Sequence, residues 1–158
     1  MSASGAEAPG VVPQLRRLVL AIVLFGISGL AAELLFIEHF ESWQQWIPFV
    51  ALGLGFAVGG VLAVRPSGAA VRLFQALMAA FVVTGLAGLY LHYMGNVEFE
   101  RERNPALGGV ALVWESLRGA TPALAPGAMI QLGLLGLVFA FRHPALPRGS
   151  GGQPQEVR

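Results

Sequence analysis

The sequence predicts an all-α integral membrane protein with four transmembrane helices, both termini cytoplasmic, and a short amphipathic helix in the outer loop between spans 3 and 4. Three observations carry this. Of 158 residues, 55% are hydrophobic and 12% charged, and the mean hydropathy is +0.66, a balance suited to a bilayer rather than to a soluble core. Four apolar runs each approach the roughly 20 residues that a hydrocarbon core of about 30 Å demands of a helix. The arginines are distributed unevenly about those runs.

Residues 1–14 are small, polar and Gly/Pro-containing, too poor in apolar surface to order themselves, and are expected as a solvated tail. Span 1 covers about Leu18–Ile37. Arg16 and Arg17 before it resemble the start of a signal peptide, but Leu30 is a poor residue three positions before a cut after Ala32. The apolar character also resumes beyond that point, so the pair is expected as a cytoplasmic anchor. Span 2 covers about Ile47–Val64 and span 3 about Leu73–Met94. After span 3, the positions Leu107, Val110, Ala111, Trp114 and Leu117 repeat at helical spacing, with Pro105 suited to a first turn. This predicts a helix over about 105–118 lying on the membrane surface. Span 4 covers about Pro122–Phe141, and residues 147–158 form a second polar tail, leaving 15–146 as the transmembrane domain.

Orientation follows from positive charge, which is retained on the cytoplasmic side. One side carries Arg16, Arg17, Arg65, Arg72, Arg142, Arg148 and Arg158. The other carries only Arg101, Arg103 and Arg118, diluted by Glu98, Glu100, Glu102 and Glu115. The outer boundary also collects Trp43, Trp46, Tyr90, Tyr93 and Trp114, rings that favour the headgroup level. A bacterial-type cytoplasmic membrane is the expected location. A net charge of +1 without a dense basic face excludes a nucleic-acid partner on electrostatic grounds. The absence of cysteine removes disulfides, thiolate metal sites and a thiol nucleophile.

Leucine packs as well against lipid as against protein, so helix association in a bilayer depends on small residues and on polar contacts. Candidate packing positions are Gly26 and Gly29 in span 1, Gly55 and Gly59 in span 2, Ala80, Thr84 and Gly88 in span 3, and Gly133 and Gly136 in span 4, with Gln131 near its middle. No internal repeat relates the two halves.

Glu33 is the position most suggestive of chemistry, because an ionisable group inside a span costs about 2.5–3.5 kcal/mol at the centre and less toward the interface. His92 falls at comparable depth, so a Glu33–His92 contact is expected. The competing reading turns Glu33 toward headgroup water and leaves His92 as an interfacial ring. Glu38, His39 and Glu41 follow span 1, and Glu98 follows span 3. Imidazole and carboxylate together suit a divalent ion, so Glu33, His39, His92 and Glu98 are candidate ligands. Two histidines could alternatively ligate haem b. No HExxH, phosphate loop or GxSxG turn occurs, and no cofactor is assigned. The expectation is a non-catalytic accessory or complex-forming subunit, its partners the lipid bilayer and another membrane protein or a copy of itself. The alternative is a proton- or divalent-metal-handling protein using Glu33 and His92.

Overall fold

A computed structural model describes residues 10–119 and 124–147. Within them the chain forms α-helices joined by turns and one 3-10 turn, Trp43–Gln45, with no strand among the described residues. Helix α1 is Val11–Phe36, α2 is Trp46–Val64, α3 is Gly68–Arg103, α4 is Gly109–Leu117 and α5 is Leu124–Ala140. Three segments are long and apolar enough to cross a membrane: α1, α3, and α2 together with the 3-10 turn before it. Helix α5 is a shorter apolar helix.

The helix boundaries have local causes. Pro13 lies in the first turn of α1, where a missing N–H costs nothing, so Val11–Gln14, expected as part of the tail, are helical. Pro66 follows the end of α2 and disfavours helical backbone in the residue before it. The next residue, Ser67, caps α3, its Oγ accepting from the Ala70 N–H at 3.2 Å, which meets one of the first-turn donors. Helix α3 continues nine residues past the expected end of span 3 at Met94 and stops before Asn104 and Pro105. The segment expected as loop stays helical because charge ends a membrane span without ending a helix. Asn96, Val97 and Glu100 are also buried there. At 36 residues, α3 is about 54 Å long, far more than the hydrocarbon thickness. Helix α4 begins four residues later than the expected 105, because Pro105 and Ala106 form a turn in which Asn104 Oδ1 accepts from the Ala106 N–H at 3.2 Å. Pro122 and Ala123 of the fourth apolar run, and tail residues 1–9 and 148–158, lie outside the described residues.

The long helices close into a ring. Helix α1 touches α2 and α5, and α3 touches the same two, with the largest interface between α3 and α5. The core inside it contains Val23, Ile27, Leu52, Val71, Phe74, Met78, Phe81, Met129, Leu132 and Phe139, and Phe74 meets Phe139 edge-on with centroids 5.6 Å apart. Close approach of α3 and α5 is reciprocal. A Cβ on Gly133 would lie 2.7 Å from the Met78 carbonyl oxygen, and one on Gly85 would lie 2.7 Å from that of Pro126. Each glycine therefore lets the other helix's backbone in.

Candidate functional site

The end of the ring that carries the tryptophans and tyrosines also carries His39 and His92. Helix α1 finishes with Glu38 in the left-handed region at φ 55°. The His39 N–H reaches the Leu34 carbonyl at 2.9 Å and the Glu38 N–H reaches that of Leu35 at 3.1 Å, a Schellman closure with glutamate where glycine is usual. This closure turns the chain so that the His39 ring meets His92 of α3, centroids 6.3 Å apart and planes tilted by 59°. Both rings are half-buried. Burial, and secondly the charge of His92, push the His39 imidazole below its ordinary value, because each disfavours the imidazolium form.

Farther along α3, Asn96 and Glu100 share the face of His92 at intervals of four residues. Helix α4 packs there through Leu112 and Ser116. Asn96 Nδ2 donates to the Ser116 carbonyl at 3.1 Å, satisfying one of the last carbonyls of α4. Glu100 is buried and accepts from Arg103 Nε at 3.0 Å and Nη2 at 2.6 Å. Ser116 is fully buried and its hydroxyl has no hydrogen-bond partner among the described residues. Val110, Trp114 and Leu117 of α4 remain exposed. That apolar face is free to meet a membrane surface.

Glu33 and His92 are not brought together as expected. They stand on diagonal helices, since the backbones of α1 and α3 do not come close together. Glu33 is exposed and makes no hydrogen bond or ion pair with the described residues. Glu38, Glu41 and Glu98 are exposed too, and among the described residues no three histidine or carboxylate side chains gather into a metal-binding group. What approaches His92 from the α1 side is His39. The sequence grouped His39 with His92 as candidate ligands but expected the direct contact from Glu33, because the α1 cap, not the span, sets the position of His39.

The small residues divide as well. A Cβ on Gly26 would meet Leu132, on Gly55 Phe81, on Gly59 Leu24, on Gly88 Pro126 and on Gly136 Met78. Gly29 opens onto nothing within 4 Å, Ala80 is exposed and Thr84 only half-buried. Gly29 and Ala80 therefore make no tight interhelical contact. The buried stripe of α3 runs instead through Val71, Phe74, Met78, Phe81 and Gly85, since a strict four-residue spacing drifts around a helix of 3.6 residues per turn.

At the arginine-bearing end, Arg16 of α1 reaches the terminus of α5. Its Nη1 donates to the Phe139 carbonyl at 2.8 Å, and its Nη2 to those of Phe141 at 3.0 Å and Arg142 at 3.3 Å. A guanidinium there satisfies carbonyls that have no helical partner and opposes the negative end of the helix dipole. His143 lies against Phe139, ring centroids 5.3 Å apart and planes tilted by 53°, and burial, then the charge of Arg16, lower its pKa.

No protein-family model, curated protein or solved structure matches this chain. Function is therefore argued from these residues. The arrangement provides two adjacent imidazoles, an exposed carboxylate on an apolar helix and a docked amphipathic helix.

Proposed function

We propose that the protein is a four-span subunit of a cytoplasmic membrane, with both termini inside, that works without catalysis by assembling with another membrane protein. The observation that carries this reading is Glu33. It lies on α1 about 4.5 Å, or three residues, before the helix end at Phe36, on a stripe that includes Phe25, Gly29 and Phe36. Phe25 is 82% and Phe36 86% exposed, and the space over Gly29 is open. A carboxylate in lipid is costly, and it is short for reaching headgroup water. A partner helix with a basic side chain at that depth would compensate it, and Gly29 would let its backbone approach. The 17 residues of α5 rise about 26 Å, close to the hydrocarbon thickness, which supports the fourth span.

The test is site-specific photo-crosslinking in native membranes from probes replacing Phe25 and Phe36, with a probe at Leu54 of α2 as control. A discrete adduct from the α1 positions, weakened by Glu33→Gln, is expected. Adducts absent from both, or equally abundant from Leu54, overturn the reading.

The His39–His92 pair favours a second reading, in which the outer rim handles protons or a divalent metal. Protein purified in mild detergent then carries stoichiometric metal that His39→Gln and His92→Gln both lose. On the first reading, metal and haem analysis finds neither at stoichiometric level.

A further inference from the structure

Gln131 is the eighth of the 17 residues of α5 and is exposed. Its carboxamide makes no hydrogen bond to the described residues, while every neighbour on its face is small or apolar. One turn earlier is Gly127, over which a Cβ would find nothing within 4 Å. One and two turns later are Leu134, Leu135 and Val138, which with Gln131 line a shallow recess on the outside of the ring.

We propose that this face of α5 binds the same face of a second copy, the two Gln131 carboxamides pairing across a two-fold axis normal to the membrane. The inference rests on α5 being a membrane span. Mid-span, a primary amide has no water to bond. Its donors and acceptor are met most simply by another amide at equal depth, each Nε2 donating to the other's Oε1. Two copies inserted in the same orientation place Gln131 opposite itself, so the contact is isologous and closes as a dimer. Gly127 permits backbone approach beside the amides, and the leucines and Val138 fill the recess. Glu33 lacks this self-complementarity. Two carboxylates at one depth repel, so the second copy is assigned to α5 and a basic partner to α1.

The chain has no cysteine, which makes single-cysteine scanning clean. Leu135→Cys, Val138→Cys and, as control, Leu54→Cys on α2 are oxidised in native membranes. Adducts of twice the 16.6 kDa chain mass are expected from one or both α5 positions and not from Leu54. In liposomes, resonance energy transfer between labelled copies gives the dimer affinity. Gln131→Leu is expected to weaken it about tenfold and Gln131→Asn to retain most of it. Affinity unchanged in Gln131→Leu overturns the proposal, as does an adduct only with a different protein or equal cross-linking from Leu54. Gln131→Cys separates the two failures. If it is labelled by a membrane-impermeant thiol reagent, α5 is not a span and the four-span reading falls too. If it is protected and no dimer forms, only the pairing is lost.

Discussion

Single side chains decide more here than their exposure suggests. Ser116 is fully buried and its hydroxyl has no partner among the described residues, so its oxygen is desolvated without return from them. Ser116→Ala should leave the fold unchanged and stabilise it by up to about 1 kcal/mol, measured as the shift in denaturation midpoint in detergent. A loss of stability would mean that the hydroxyl is satisfied in the membrane. His39 makes a pH prediction. Its folded pKa is depressed, so stability is complete above its ordinary value of about 6.5 and is lost as pH falls below it, because the unfolded chain takes up protons that the folded site resists. His143 is depressed likewise. The melting temperature should therefore fall between pH 7 and pH 5, and His39→Gln together with His143→Gln should flatten that fall; an unchanged slope in the double variant would refute the assignment. Histidine at the rim was legible in the sequence. That the His39 ring, rather than Glu33, meets His92 was not, because the left-handed Glu38 that aims His39 carries no mark of its conformation in the residue type.

Helices are held by a few close approaches rather than by apolar area, since lipid competes for leucine. Gly133→Leu must push α5 off the backbone of α3, and a loss on the order of 3 kcal/mol is expected. Gly29→Leu enters open space and should leave the denaturation midpoint unchanged. Equal losses in the two would contradict the packing described. The twin arginines make a second matched pair. Arg16 holds three carbonyls at the end of α5, whereas Arg17 is exposed. Arg16→Gln should cost about 1–3 kcal/mol in denaturant resistance and Arg17→Gln almost nothing. From sequence both read as the same topological anchor, because a side chain's reach to a carbonyl 123 residues away has no local signature.

For the whole molecule, the arginine distribution makes the strongest prediction. Reporter fusions at Gly68 and Arg158 should report cytoplasm, and fusions within Asn96–Asn104 the opposite compartment; an external signal at Arg158 would overturn that orientation. If it holds, the α3 extension and α4 form a small outer cap tied by Asn96 to the C-terminus of α4. Asn96→Leu should then raise protease sensitivity between Asn104 and Gly119 without unfolding the ring.

The sequence by itself determined the helical class, the apolar runs and the positions of charge, because hydropathy and charge are properties of residue type that survive without knowledge of neighbours. It did not determine the end of α3 or the start of α1, since apolar character reports lipid depth while helix length follows capping and packing. It also left open which helices touch. Glu33 and His92 matched in depth, but depth is one coordinate, and the position of each helix around the ring is another. Only the tertiary structure placed α1 and α3 on a diagonal, joined His39 to His92, and left Glu33 and Gln131 facing outward.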